Sequence, residues 1–304
     1  MRVRSAFVLL SATYLLVFGT SLQAQDLGPQ IQKIKDGIYL YVGDEGNSNS
    51  GIILTQEGVV LIDSGRMPTD SLAVLAAVKK LTSLPVRFLI NTETHADHTT
   101  GHFVFSPPAM IINHEGASEA MRKAYDPERN RRLMEQSPEM RKAFQGFRLV
   151  TPQIEYRDRM TLNLGGRTIQ LLNLGNVHSE ANTAIWLPRE RVLFAASVAV
   201  PNSLNNIRPY VTIPDMIKGI RMMKALNPEI VIPGHGLPGT TALFDDTIRY
   251  FELLLERVGS MVREGKSLDQ IKQELRMPEY EHWANQNRMP TNIEAAYRAV
   301  AGSN

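Results

Sequence analysis

Apolar and polar positions alternate along the chain from about residue 37. The segments "GIYLYVGDEG" and "SGIILTQEGVVLIDSG" place β-branched and aromatic residues between glycine-bearing turns. Such alternation over short runs predicts antiparallel strands joined by hairpins. In "TDSLAVLAAVKKL" the apolar positions change to helical spacing, behind a candidate N-cap at Thr69 or Asp70. We therefore expect strands followed by a helix.

The apolar run "VRFLI" at residues 86–90 predicts a buried strand that leads directly into the polar segment "NTETHADHTTGH". In open α/β sheets, ligand sites form beyond the carboxyl ends of strands. The order of strand, helix, strand and polar loop therefore predicts a functional loop at residues 91–102.

A charged stretch occupies residues 116 to about 148 and differs from its surroundings. The segment "EGASEAMRKAYDPERNRRLMEQSPEMRKAFQGF" has helical spacing interrupted near Pro127 and Pro138. It predicts a helical insertion whose charges form solvated faces. The alternative is a helical flap over the functional site.

The second half of the chain repeats the order of the first. The segments "MTLNLGGRTIQLLNLG", "NTAIWLP" and "RVLFAASVAV" predict strands, and "IPDMIKGIRMMKALNPEIVIPGHG" predicts a helix, a strand and a glycine-flanked histidine. The pattern is helical from about residue 241 onward. Two strand-rich halves, each ending in histidines, predict an α/β fold in which two mixed β-sheets are sandwiched between helices.

Residues 1–24 have the layout of a secretory signal peptide. Arg2 and Arg4 precede an apolar run that ends near Phe18, and a small residue, Ala24, marks the expected cleavage site. The apolar run is shorter than the ~20 residues that span a membrane, although an anchor is the alternative. We expect a secreted or periplasmic protein whose residues 25–304 form a single domain, since no linker-like segment divides them.

Composition narrows the possible chemistry. The chain has no cysteine, which removes disulfides, lipid attachment at cysteine and thiolate metal ligands. The full chain has 33 Lys+Arg and 31 Asp+Glu, and the loss of two arginines with the signal peptide leaves 31 − 31 = 0. A nucleic-acid or anionic-membrane partner usually requires a basic excess, so we expect a small-molecule substrate and no stable membrane anchor.

The polar loop after residue 90 contains three histidines and two carboxylates. In extended backbone, Glu93, His95 and Asp97 would face one pocket because they are spaced two apart. His98 would then point elsewhere, toward a second metal ion. His178 in "LGNVHSEANT" and His235 in "VIPGHG" each follow a predicted strand and could complete the ligand set.

These motifs resemble those of the metallo-β-lactamase superfamily, whose loop motif is H-x-H-x-D-H followed by distant histidines. The segments "LIDSG", "ETHADH", "GNVHS" and "VIPGHG" occur in the family's order. The resemblance implies two metal ions in an αββα sandwich. It implies that His95 and His178 hold the first ion, and that the second is held by Asp97, His98 and His235.

Two positions depart from the family pattern. Glu93 replaces the first histidine, and Ser197 stands where most members have an aspartate that bridges the two metals. With Glu93 on the first ion, each ion has two histidines and one carboxylate, a ligand set established for catalytic zinc. The alternative is that Glu93 lies beside a single zinc without binding it.

Other candidates have supporting roles. Asp63 in "LIDSG" resembles the family's buried aspartate that orients the loop ligands. Ser197 is a candidate for a similar contact, and three residues after it could reach a substrate: Asn205, Asn206 and Tyr210. We expect the three remaining histidines to be structural, namely His102, His114 and His282.

The resemblance implies a zinc-dependent hydrolase that attacks an ester, lactone or amide bond, with β-lactams among the candidate substrates, by means of a metal-bound hydroxide. Together with the predicted signal peptide, it suggests an exported enzyme. Asp97 is the candidate catalytic carboxylate in addition to its role as a ligand. Two alternatives remain open: a non-haem iron oxygenase acting on sulfur compounds, and a non-catalytic periplasmic metal-binding protein.

Overall fold

The structure, a computed structural model, describes residues 26–44 and 46–302. The predicted signal peptide, residues 1–24, lies outside the described residues. Among the helices of the described ranges, none is long and apolar enough to cross a membrane.

Seven strands form the first sheet, and their spatial order follows the chain. They are β1 (Ile31–Lys35), β2 (Ile38–Tyr41), β3 (Ser50–Thr55), β4 (Gly58–Ile62), β5 (Val86–Ile90), β6 (Met110–His114) and β7 (Ile154–Tyr156). The first four pair antiparallel through short turns, as the alternating pattern predicts. From β4 to β7 the pairing is parallel, so each connection must cross over the sheet.

Five strands form the second sheet, in the order β12-β11-β10-β9-β8. They are β8 (Arg159–Leu164), β9 (Arg167–Gly175), β10 (Asn182–Leu187), β11 (Val192–Phe194) and β12 (Ile230–Ile232). Only β11 and β12 are parallel among the pairs of this sheet described here.

Ten α-helices lie in the described ranges. They are α1 (Pro68–Leu81), α2 (Ala96–Thr99), α3 (His102–Phe105), α4 (Ala117–Ala124), α5 (Pro127–Glu135), α6 (Pro138–Ala143), α7 (Ile213–Ala225), α8 (Ala242–Arg263), α9 (Leu268–Glu274) and α10 (Met289–Ala301). The charged stretch from residue 116 contains α4 to α6, and the C-terminal part contains α8 to α10.

Three apolar clusters divide the molecule into four layers. One cluster lies between the sheets and includes Ile62, Ile90 and Phe194. A second packs α1 and α3 on the first sheet, and a third packs the C-terminal helices on the second sheet. Each fully buried aliphatic side chain contributes roughly 1.5–3 kcal/mol. The predicted fold class, two mixed sheets between helices, is confirmed.

The start of α1 differs from the sequence-based prediction. Met67 is the N-cap and Pro68 is the first helical residue, so Thr69 and Asp70 lie inside the helix. Proline is favoured at this position because its fixed φ suits the first turn and its missing N–H has no intrahelical acceptor there.

The strand predicted for "RVLFAASVAV" also ends early. It stops at Phe194, and a short 3-10 helix, Ala196–Val198, follows. Ala196 has a φ of 52°, a conformation that turns the chain and directs Ser197 toward the candidate site.

Candidate metal centre

Six of the candidate ligands form two groups of three. Glu93, His95 and His178 make one group, and Asp97, His98 and His235 make the other. Within each group the potential ligand atoms lie within 4.8 Å of one another. These are the groupings that the family resemblance implies, with Glu93 added to the first.

The prediction that Asp97 lies in one group with Glu93 and His95, with His98 pointing elsewhere, was wrong. The extended conformation ends at His95, whose ψ is 151°, and α2 begins at Ala96. Asp97 and His98 therefore lie on one helical turn and belong to the same group. Alternation with a period of two applies only as far as His95, because the first helical residue changes the side-chain period.

Each ligand segment follows the carboxyl end of a strand. The loop of residues 91–98 follows β5, His178 follows β9, and His235 follows β12. Because these ends meet at one edge of the sandwich, residues far apart in sequence converge there.

Asp63 fixes the orientation of His98. Its Oδ2 accepts a hydrogen bond from Nδ1 of His98 at 2.9 Å and from the hydroxyl of Thr92 at 2.6 Å. Its Oδ1 accepts from the backbone N–H of Thr92 at 2.8 Å. These bonds leave Nε2 of His98 facing the centre, as a ligand atom must.

The carboxylate of Glu93 lies between the two groups. Its Oε2 is 2.5 Å from Nδ1 of His95 and 3.6 Å from Nε2 of His178. Its Oε1 is 3.1 Å from Nε2 of His98, which belongs to the other group. Oε2 accepts no well-aligned hydrogen bond among the described residues, although Glu93 is fully buried and Nδ1 of His95 is so close. A buried carboxylate oxygen crowded by imidazole nitrogens in this way is an atom that a cation would satisfy.

The side chain of Ser197 contacts the carboxylate of Glu93. Its hydroxyl donates to Oε1 of Glu93 at 2.5 Å and lies 3.3 Å from Nε2 of His98. Gly234 closes the same space, since a Cβ there would overlap the Ser197 hydroxyl and lie 3.1 Å from Cε1 of His98. Ser197 thus supports the carboxylate that faces both groups.

The buried charges of the centre favour a cation. Burial opposes ionisation of Glu93, but His98 and His178 lower its pKa well below the ordinary value. Burial likewise opposes protonation of His98, but Glu93 and Asp63 raise the pKa of His98 to about 10. The negative field that would hold a proton on His98 would also stabilise a divalent ion.

The second group is held by contacts around Asp97. Its Oδ2 is 3.3 Å from Nε2 of His235, and its Oδ1 is 3.9 Å from Nη2 of Arg66. Burial opposes ionisation of Asp97, yet His235 and His98 hold its pKa below the ordinary range. Nδ1 of His235 donates to the carbonyl of Asn47 at 2.8 Å, which leaves Nε2 to face Asp97.

His178 is a neutral imidazole in this environment. Burial lowers its pKa to about 4, and the neighbouring histidines act in the same direction. A neutral imidazole has a lone pair available for a metal ion. With N and O donors only, the two groups fit a divalent metal, and no other part of the described chain brings three such residues together.

Both groups open on one pocket of about 540 Å³, a size suited to a small molecule. Asn205 and Asn206 line it, as expected from the sequence. Tyr210 does not, because its exposed hydroxyl donates to Glu180 at 3.0 Å. Asn205 is also tied back by a bond from its amide to the carbonyl of Val198 at 2.7 Å.

Sequence reasoning missed three arginines that line this pocket, Arg66, Arg208 and Arg288. None lies in a motif, and spacing gives no signal for them. Arg288 lies in the C-terminal part and comes close to the centre only because the chain folds back onto the loop after β11.

The remaining histidines lie outside the centre. His102 is buried, with Nδ1 bonded to the carbonyl of Val150 at 2.7 Å, and burial lowers its pKa to about 4. His114 packs edge-on against Tyr156, and His282 is exposed.

A family model for the metallo-beta-lactamase superfamily matches residues 43–235. The match covers 193 of the 304 residues and includes every one of the six grouped ligands.

Several characterised proteins are similar in sequence. The chain is 24% identical over 217 residues to the 2,4-dinitroanisole O-demethylase subunit alpha of Nocardioides sp. (strain JS1661), covering 71% of this chain and 58% of that protein. It is 24% identical over 225 residues to a linear primary-alkylsulfatase of Pseudomonas sp. (strain ATCC 19151), covering 62% and 41%. The type 2 metallo-beta-lactamase of Bacteroides fragilis is 33% identical over 104 residues, covering 33% and 41%. The chain thus spans about half the length of these relatives.

Solved structures are similar in fold. An inverting sec-alkylsulfatase from Pseudomonas sp. superposes with a TM-score of 0.69 at 18% identity, covering 90% of this chain and 50% of that one. A metallo-beta-lactamase from Pontibacter korlensis gives 0.57 at 21% identity, covering 72% and 96%.

Proposed function

Because the chain belongs to the metallo-β-lactamase superfamily, whose members are typically hydrolases, we propose that it is a zinc-dependent hydrolase of small molecules. The proposal includes two zinc ions per chain. It also places the enzyme outside the cytoplasm, on the strength of the basic and then apolar pattern of residues 1–24.

One observation carries the proposal: two groups, each of two histidines and one carboxylate, open on the same pocket. Zinc is commonly held in catalytic sites by two histidines and a carboxylate. Two bound ions would supply a water of lowered pKa and a Lewis acid for the substrate oxygen.

The chain's own residues hold this arrangement in place. Asp63 orients His98, and the carbonyl of Asn47 orients His235. Oδ1 of Asp97 is the carboxylate oxygen that faces Arg66 rather than His235, and we assign it the role of accepting a proton from the attacking water.

The bond that is cleaved belongs to an ester, a lactone or an amide, with β-lactams included. The alkylsulfatase relatives add sulfate esters to this range, and the O-demethylase relative adds activated aryl ethers. Serine at position 197 is compatible with each of these substrate classes, because its side chain contacts Glu93 and does not fill the pocket.

Metal analysis together with a substrate panel tests the proposal. Protein loaded with zinc should contain two ions per chain by elemental analysis, and it should hydrolyse at least one of a β-lactam, a lactone, a carboxylic ester and 4-nitrophenyl sulfate. A chelator should abolish this activity and zinc should restore it.

His178→Ala and His282→Ala form a matched pair of histidine variants. His178→Ala should lose one zinc and most turnover, whereas His282→Ala, at an exposed position, should keep both. A stable maximum of one zinc would reject the two-ion proposal. Tight binding of one iron with oxygen-dependent turnover would favour the oxygenase alternative instead.

A further inference from the structure

We propose that the substrate carries an anionic oxygen group, a carboxylate or a sulfate, and that the guanidinium groups of Arg208 and Arg288 bind it. Both side chains line the pocket on which the two ligand groups open. The inference rests on the proposed function, because it assigns a substrate class to that same pocket.

Arg208 has no counter-charge among the residues that the structure describes. Throughout residues 26–44 and 46–302 its guanidinium makes neither an ion pair nor a hydrogen bond, and its Nε is buried without a partner. A guanidinium has five N–H donors in a fixed fork that matches a carboxylate or a sulfate. Burying part of this group without an acceptor costs free energy, which an anionic ligand would recover.

Arg288 is a second cation on the same side of the pocket. One of its nitrogens, Nη1, donates to the carbonyl of Leu204 at 2.8 Å, and no carboxylate pairs with it in the described chain. Burial lowers the pKa of Arg288, and the positive charge of Arg208 lowers it further. Two partly buried cations that repel each other define a place for an anion.

The loop and the C-terminal segment that carry these arginines are bonded together. The backbone N–H of Leu204 donates to the carbonyl of Ala284 at 3.1 Å, and that of Ala284 donates to Asn202 at 2.7 Å. The amide of Asn285 also donates to the hydroxyl of Ser203 at 2.8 Å. The two chain segments that carry the arginines are therefore held next to each other before a ligand arrives.

Three acidic residues of the described chain that lie at or near the pocket are already engaged. Asp97 belongs to the second ligand group and faces Arg66, while Asp44 accepts a hydrogen bond from Gln30 at 3.1 Å. Glu180, the acid nearest along the loop from His178, accepts from Tyr210. None of these acids pairs with Arg208 or Arg288, so within residues 26–44 and 46–302 no carboxylate neutralises the two guanidiniums, and an anionic ligand would supply that charge.

Steady-state kinetics with matched probes tests the inference on zinc-loaded protein. The anionic probes are mono-4-nitrophenyl glutarate and 4-nitrophenyl sulfate, which separate the carboxylate from the sulfate source, and the uncharged probe is 4-nitrophenyl butyrate. Arg208→Gln and Arg288→Gln remove one charge each. Arg249→Gln removes the same charge from the exposed surface of α8, where Arg249 pairs with Asp246 at 3.6 Å.

We expect Arg208→Gln and Arg288→Gln to raise KM for one anionic probe about tenfold or more, the effect of one lost charge-assisted hydrogen bond. Their KM for the butyrate and their zinc content should stay within twofold of the wild type, and Arg249→Gln should change neither. Equal KM for the anionic probes in all variants, or an equal loss in Arg249→Gln, would overturn the inference.

Isothermal titration with sodium sulfate and with sodium glutarate, at constant ionic strength, separates this inference from the proposed function. The measurement needs no turnover and can be made with and without zinc. Binding that weakens about tenfold in Arg208→Gln supports the arginine pair even if no probe is hydrolysed. Absence of binding to the wild type at millimolar concentration would overturn the pair while leaving the zinc hydrolase proposal intact.

Discussion

Glu93 and Ser197 are the two positions at which this chain departs from the family's ligand pattern, and the structure brings them into contact. The hydroxyl of Ser197 donates to Oε1 of Glu93, and this carboxylate faces His95 and His178 with one oxygen and His98 with the other. The Glu93 carboxylate thereby places negative charge between the two groups. We infer that Glu93 can contact both ions, which extends its expected role on the first ion alone.

Substitution of Glu93 tests this inference. Glu93→Gln keeps the shape but removes the charge, so zinc affinity at both groups should fall, by at least tenfold at the His95 group. Glu93→His should retain zinc at that group, because imidazole is also a zinc ligand. Competition with a chromophoric chelator measures both affinities.

The control for Glu93 is Glu252→Gln, which removes an exposed carboxylate on α8 that pairs with Arg221. If Glu93→Gln binds two zinc ions as tightly as this control does, Glu93 is not a ligand. The idea that it faces both groups would then be wrong as well.

His102 should make stability sensitive to acid. Its pKa is about 4 in the folded protein against an ordinary 6.5, because burial disfavours the charged imidazole. Between these pH values the unfolded chain binds a proton that the folded chain does not, so the free energy of unfolding falls as the pH falls. The full loss, roughly 3 kcal/mol, is reached below about pH 4 and is absent above about pH 7.

His102→Gln removes this titration, and the comparison is made by urea unfolding from pH 7 to 4 with a chelator in every sample. Its free energy of unfolding should decline less steeply with acid than that of the wild type. His282→Gln, at an exposed histidine, should follow the wild type. Parallel curves for His102→Gln and the wild type would show that His102 does not titrate in this range.

The loop after β12 packs tightly against the candidate ligands at Gly234. The N–H of Gly234 donates to Ala196 and its carbonyl accepts from Asn49, both at 2.8 Å, so the backbone cannot move away. Gly234→Ala would place a methyl group against Ser197 and His98. We expect a loss of about 1–3 kcal/mol in stability and at least a tenfold loss of zinc affinity.

Gly259→Ala is the control for Gly234→Ala. Gly259 lies within α8, where a Cβ would be 3.4 Å from the flexible end of Arg263. Alanine there should stabilise the protein by about 0.5–1 kcal/mol and leave zinc binding unchanged. Thermal unfolding measures the stability of both variants, and chelator competition measures their zinc affinity. Equal zinc affinities in Gly234→Ala and Gly259→Ala would show that a methyl group at position 234 does not disturb the ligands.

Sequence patterns located the elements well where a single period applies. The strand predicted at residues 86–90 matches β5 because four of its five residues are apolar, with Arg87 as the exposed exception, between clear breaks. For the loop that follows, the strand period of two is wrong beyond His95, because the chain forms the four-residue helix α2 there. So short a helix has too few positions to show a helical pattern.

At the scale of the whole molecule, the fold class followed from the order of the predicted strands and helices, whereas the grouping of the histidines followed only from the resemblance to the family. The sequence did not predict that Arg208 and Arg288 line the same pocket, because this depends on how residues 284–288 pack against the loop after β11. Neither arginine belongs to a motif, and a contact over that sequence distance leaves no periodic trace.

An isolated β-bridge between Ser203 and Ala284 joins the C-terminal segment to the loop after β11. The candidate metal ligands and the proposed substrate-binding arginine of that segment therefore share one pocket but come from different parts of the chain. The grouped ligands all lie within residues 43–235, whereas Arg288 enters from a segment outside the family match. A lineage could therefore exchange its last helices and acquire a new substrate without disturbing its reaction. For protein engineers the same division means that residues 284–288 are a region to randomise when a different substrate is wanted, with the six grouped ligand candidates left as they are.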